Sequence, residues 1–276
     1  METIRKGRVA KLCLFGTTYS MFNCLILGSG RSGTSMMGGI LHEAGYFMGD
    51  YLYPGRESNP KGFFETPEIN SINEAILEHC VRAVSTDQTS VNAPGRGQYW
   101  LMSLPEDHSV ESADPAVAQR MAAILERRPF AFKDPRFSYT LPAWKPYLPA
   151  MTKFIVMFRP PETTATSILK ECRTAPYLQN LQIDAVSALE VWKNIYRHIL
   201  RHYLAEPDRF IFVHYVQCLR GDGVKRVADF LETPLHTSFV DVAMNRSGQE
   251  VTADSEALAL YRRLCALAGF SHDSEH

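Results

Sequence analysis

Three short stretches hold the residues whose types and spacing suit chemistry. The first is GSGRSGTS at 28–35, where glycines alternate with hydroxyls and one arginine. It follows the apolar run MFNCLIL and precedes a helical pattern, so backbone N–H groups and a helix dipole would face an anion there. The second is RPPETTATS, in which Arg159 follows the apolar run TKFIVMF and Ser167 comes eight residues later. Ser167 then lies about two turns into the next helix, and both side chains can fold towards one phosphate. The third is FKDPRF, where Lys133, Asp134 and Arg136 follow a short apolar stretch.

The glycine turn partly satisfies three rules. Gly28, Gly30 and Gly33 spell the dinucleotide fingerprint, and Asp50 stands at roughly the spacing of a ribose contact. That fingerprint needs a second strand ending at the acid, and YFMGD offers little of one. The same residues spell a triphosphate loop, but Thr34 stands where the phosphate-binding lysine belongs. The third reading places the cation inside the turn as Arg31, a fixed charge with a fork of donors. Hydroxyls of Ser32, Thr34 and Ser35 add donors, and a phosphosulfate suits this equipment without a metal.

These residues need a sheet to carry them. Strands are expected at 21–28, near Lys133, at 152–158 and at 209–215. Between them run helical patterns at 34–45, 65–84, 116–128, 185–203 and 223–232. Alternating strands and helices predict a parallel sheet covered on both faces, with ligands at the carboxyl ends of the strands. The stretch 49–64 is rich in Gly, Pro, Asn and Ser and reads as loop. Residues 86–112 read as a long polar loop, mobile or a lid.

GSGRSGTS resembles the 5′-phosphosulfate loop of sulfotransferases that use 3′-phosphoadenosine-5′-phosphosulfate (PAPS), in which arginine often replaces lysine. MFRPPETTATS resembles the family's 3′-phosphate element, and FIFVHYVQCLRGDGVKRVADFLETPL resembles its later strand and helix. NPKGFFETPEINSINEAIL and FKDPRF are similar to segments of bacterial members, so the likeness covers about 22–235. It implies a three-layer αβα P-loop-like fold with a central parallel sheet, and PAPS as co-substrate without a metal. It assigns Gly30, Arg31, Ser32, Gly33, Thr34 and Ser35 to the 5′ end, Arg159 and Ser167 to the 3′-phosphate, and Tyr215 to adenine. Arg246, in NRSGQ, is a further 3′-phosphate candidate.

Lys133 takes the place of a lysine that meets the transferring group; the alternative is an ion pair with Asp134. The histidine that follows this lysine in cytosolic members is absent, since Asp134 and Pro135 stand there. Glu65, in GFFE beside two aromatics, is the leading candidate for the base. Its alternative role is that of an acid favoured at a helix start. Asp134 is second, and His42 reads as a packing residue.

Composition sets the outer limits. The 276 residues are 45% hydrophobic and 21% charged, with net charge −1, so no global field draws the chain to nucleic acid. Cys13, Cys24, Cys80, Cys172, Cys218 and Cys265 form no C-x-x-C pair and read as reduced thiols. No apolar run of about eighteen residues is present for a membrane span. Residues 1–20 read as an N-terminal tail and 21–276 as one domain, in a cytoplasmic enzyme whose acceptor is a small-molecule, lipid or sugar hydroxyl. Neither the acceptor nor the oligomeric state is legible. A kinase or NTPase with a degenerate loop, or an inactive nucleotide-binding relative, is the alternative.

Overall fold

The computed structural model describes residues 10–14, 17–84, 94–108, 110, 114–242 and 250–271. In chain order the elements are β1 (Ala10–Leu14), β2 (Thr17–Met21), β3 (Cys24–Leu27), α1 (Thr34–Glu43), α2 (Pro67–Val84) and α3 (Pro115–Ile124). There follow β4 (Ala131–Lys133), α4 (Phe137–Trp144), β5 (Lys153–Phe158), α5 (Pro161–Thr174) and α6 (Ala185–Ala205). The chain continues through β6 (Phe210–His214), α7 (Tyr215–Arg220), α8 (Asp222–Leu231) and α9 (Ser255–Ala268).

β3, β4, β5 and β6 form a parallel sheet in the order β4-β3-β5-β6. Its strands are short apolar runs because both faces are covered. Alternation divides them between two cores. Leu25, Leu27, Phe154, Val156 and Phe158 pack in one core with residues of α2, α5 and α6. Cys24, Ile26, Ile155 and Met157 pack in the other with Met37 and Ile40 of α1 and Val224 and Val227 of α8. The protein is therefore a three-layer αβα fold, as the alternating pattern predicts.

The strand order fixes where a ligand can sit. After β3 the chain crosses to β4 on one side of β3 and then to β5 on the other. The connections diverge at the carboxyl end of β3, which opens a crevice there. The 28–35 turn leaves β3 at that point.

Three expectations change. The segment taken as a tail contains the antiparallel hairpin β1–β2, with Ala10 opposite Met21 and Leu14 opposite Thr17. The segment taken as a polar loop holds the 3-10 turn Tyr99–Leu101, and Tyr99, Trp100, Leu101, Met102 and Leu104 are buried. These residues are core that reaches the site, not a free lid. Three helices, α4, α7 and α9, were not expected. Among the described residues, no helix is long and apolar enough to cross a membrane.

Candidate active site

The 28–35 turn is held open by backbone conformation. Gly33 has φ 88° and precedes α1 as its N-cap residue, with no side chain capping the helix. The Met36 and Met37 amides turn back to the Gly33 carbonyl at 3.1 Å and 3.3 Å, whereas the first amides of the helix, those of Thr34 and Ser35, have no carbonyl one turn earlier within it, and both residues line the crevice. A Cβ on Gly33 would lie 2.5 Å from the Tyr215 ring, so only glycine lets the turn pass that wall. Gly30 is similarly close to Trp100, with 2.6 Å left for a Cβ. Arg31 has φ 70°, an unusual conformation for a side-chain-bearing residue, and this strain coincides with the candidate site.

Tyr196 of α6 holds the turn from below. Its hydroxyl donates to the Met157 carbonyl at 2.8 Å and lies 3.0 Å from Ser32 Oγ. The Ser29 amide donates to the same hydroxyl at 3.4 Å. Burial pushes the Tyr196 pKa up, so the phenol stays a neutral donor at working pH.

Two cavities meet at this turn. The smaller, about 140 Å³, is lined by Arg31, Gly33, Arg159, Ser167, Tyr215 and Lys61, among others. Arg159 stacks over Tyr215, with its guanidinium carbon 4.1 Å from the ring centroid. Burial lowers the Arg159 pKa, and Arg31 nearby pushes the same way. Two guanidinium groups line this one small cavity, which makes it a place that favours an anion. Arg31 Nε donates to Ser167 Oγ at 3.1 Å, and its NH2 donates to the Ser58 carbonyl at 3.0 Å. Its third contact is Glu171, at 3.6 Å. The structure thus joins Arg31, Arg159, Ser167 and Tyr215, residues far apart in sequence.

The larger cavity, about 460 Å³, is lined by Tyr53, Phe63, Glu65, Trp100, Lys133, Arg136 and Tyr177, among others. Arg31, Thr34 and Ser35 line both cavities and form their shared wall. Lys133 leaves β4 buried and forms an ion pair with Glu65. Its Nζ lies 3.4 Å from Ser35 Oγ, so it also reaches the turn. Glu65 is half-buried just before α2, and its Oε2 accepts from Asn70 Nδ2 at 3.2 Å.

The alternative considered for Lys133, an ion pair with Asp134, is not the one formed: its partner is Glu65. Asp134 is fully buried and does not line the cavity. It accepts from Asn70 at 2.6 Å, Asn73 at 3.0 Å, and the Arg136 amide and guanidinium at 2.9 Å and 3.0 Å. A carboxylate with four donors on it, outside the cavity, is suited to positioning rather than to accepting a substrate proton. Arg136 also bonds Glu74 Oε1 at 2.5 Å. Burial opposes its charge, but Asp134 and Glu74 outweigh burial and raise its pKa.

Other sequence candidates lie elsewhere. His42 is exposed on α1, with its ring 5.6 Å from that of Phe64, and lines neither cavity. Asp50 is exposed and paired with Arg127, and no strand of the sheet ends there, so the dinucleotide reading of the turn fails. Arg246 lies outside the described residues. Tyr196, Asn70, Asn73 and Glu74 are site-supporting residues that sequence reasoning passed over. Tyr196 was legible only as part of an apolar stripe.

A family model described as the sulfotransferase family matches residues 24–237. The chain belongs to the sulfotransferase family. Among solved structures, the sulfotransferase domain of the Synechococcus PCC 7002 olefin synthase is similar, with TM-score 0.51 and 18% identity. That likeness covers 88% of this chain and 94% of that one, and it supports a shared fold. A sulfotransferase from Alicyclobacillus acidocaldarius is also similar, with TM-score 0.48, 14% identity, and coverage of 92% of this chain and 98% of that one. Among curated proteins, none matches the chain. Family and fold together make this sulfotransferase a protein of sulfuryl transfer, with the glycine turn at the place where the sheet opens.

Proposed function

We propose that this sulfotransferase moves a sulfuryl group from PAPS to a hydroxyl of a small-molecule, lipid or carbohydrate acceptor. One observation carries the reading: two cavities of different character share the wall made by Arg31, Thr34 and Ser35. The smaller has paired guanidinium groups and an aromatic ring, which suits a nucleotide with two anionic ends. The larger has a carboxylate–lysine pair beside the shared wall, which suits an alcohol at the point of transfer.

Each residue then has a role. The uncapped start of α1 and Arg31 receive the 5′-phosphosulfate end. Arg159 and Ser167 hold the 3′-phosphate, and Tyr215 walls the adenine side. Lys133, between Ser35 and Glu65, steadies the sulfuryl oxygens. Glu65 takes the hydroxyl proton. The acceptor oxygen forms a bond to sulfur as the sulfur–oxygen bond to the 5′-phosphate breaks, releasing adenosine 3′,5′-bisphosphate. Positioning and fixed charge supply most of the rate, as in phosphoryl transfer.

Calorimetric titration with adenosine 3′,5′-bisphosphate, magnesium-ATP and NAD tests the donor. Tight binding of the bisphosphate alone supports the reading. Binding of magnesium-ATP or NAD without the bisphosphate would overturn it.

A further inference from the structure

The larger cavity carries charges that the transfer does not use. Among its lining residues, Lys133 is paired with Glu65, Arg136 with Glu74 and Asp134, and Arg31 with Glu171. Arg56 and Arg96 also line it, and among the described residues neither forms an ion pair with a carboxylate. Both are exposed, which places them at the mouth rather than at the Lys133 end.

Neither arginine is on a slack loop. Arg56 opens a tight turn closed by its amide on the Asn59 carbonyl at 3.2 Å and the Asn59 amide on its own carbonyl at 2.8 Å. Its guanidinium sits between two rings, 5.8 Å from Phe63 and 5.7 Å from Tyr177. Arg96 lies in the turn 95–98. That turn is anchored by Gln98 Nε2 on the Tyr177 carbonyl at 2.7 Å and by the Gly97 amide on Glu74 at 2.6 Å. Tyr177 thus connects the two turns.

Resting on the proposed transfer reaction, we infer that the acceptor is an alcohol carrying its own anionic group, a carboxylate or a phosphate. Arg56 and Arg96 hold that group at the mouth while the hydroxyl lies at Glu65. The rings of Tyr53, Phe63, Trp100 and Tyr177 make the walls between, so the middle of the acceptor is apolar. The cavity, about 460 Å³, accommodates a molecule of drug size. A pair of guanidinium groups at its entrance recognises a carboxylate or phosphate through bidentate contacts and disfavours a cationic acceptor.

The test uses ω-hydroxy fatty acids of graded length, each with its methyl ester as a neutral match. Binding to the full-length protein is read by calorimetry without nucleotide, and transfer from PAPS is read separately by mass spectrometry. The expected result is that at least one acid binds roughly tenfold or more tightly than its ester. In Arg56→Gln and Arg96→Gln the acid-to-ester ratio falls roughly tenfold each, and Arg56→Lys and Arg96→Lys recover part of it. Thermal melting of each variant establishes that it folds. Equal binding of acid and ester, no binding of any acid, or an unchanged ratio in both glutamine variants would overturn the inference. Failure of the donor reading shows differently, as loss of adenosine 3′,5′-bisphosphate binding with the acid preference intact. A ω-phosphorylated alcohol in the same assay distinguishes phosphate from carboxylate as the favoured anion.

Discussion

At the scale of single residues, the candidate site depends on how few charges are left to react. Asp134 holds four donors outside the cavity, whereas Glu65 lines it beside Lys133. Glu65→Gln keeps the shape and removes the proton acceptor. Turnover should fall roughly a hundredfold or more while adenosine 3′,5′-bisphosphate affinity stays within about twofold. Undiminished turnover in steady-state kinetics would move the base elsewhere. Arg159→Ala and Ser167→Ala test the other cavity. Each should weaken the bisphosphate by roughly tenfold or more and adenosine 5′-phosphosulfate far less, because only the former has a 3′-phosphate to lose. Equal losses by calorimetry would remove that assignment. Arg31, Arg159 and Tyr215 were legible because each stands in or just after the turn that ends a strand, where parallel sheets place ligands, and Ser167, within α5, by its spacing of eight from Arg159. The Lys133–Glu65 pair was not: the two are 68 positions apart, and Asp134 beside the lysine offered a nearer partner.

At the scale of elements, the same helix that reads as plain core carries a polar support. Tyr196 stands on α6 in an apolar stripe with Leu189, Trp192 and Ile199, and all four are buried. Periodicity places the ring in the core but says nothing of the hydroxyl, which meets Met157, Ser32 and Ser29. Tyr196→Phe keeps the packing and strands those partners. It should cost about 1–2 kcal/mol in chemical denaturation and weaken adenosine 3′,5′-bisphosphate severalfold, since the turn loses its floor. A stability loss with nucleotide affinity unchanged would make the hydroxyl structural only. The elements that sequence reading missed have physical reasons too. α4 has seven buried residues and a proline inside it, so it shows neither a polar face nor a helical composition. Tyr99–Leu104 lies between polar segments, and its short apolar run has no period to declare it core. α9, also not expected, carries end signals of its own: Asp254 caps it by accepting from Ala257, and Gly269 ends it.

At the scale of the whole molecule, the layer architecture was legible because both-face burial makes each parallel strand a bare apolar run. The position of the crevice also needed the strand order, which no local pattern contains. The layers leave another mark, in the response to acid. α6 crosses behind α4, and His202 is buried there, with Nε2 3.2 Å from the Ser138 carbonyl. Burial lowers its pKa from 6.5 to about 4, and Lys145 and His198 push the same way. His198, buried near the Leu104 and Pro105 carbonyls, is shifted downward by burial as well. In the unfolded chain both imidazoles take up a proton as pH falls through about 6.5, while the folded form resists. The unfolded state then binds more protons, so stability declines as pH drops from about 6.5 towards 4. The His202 contribution is about 3 kcal/mol in full, and at pH 5 roughly half of it is lost. Denaturation midpoints measured at pH 7.5, 6 and 5 should fall at each step, most steeply between the last two. His202→Asn, which cannot take up the proton, should flatten that descent even though it lowers stability at pH 7.5. An identical slope in the variant would assign the acid sensitivity to other groups and leave His202 as packing alone.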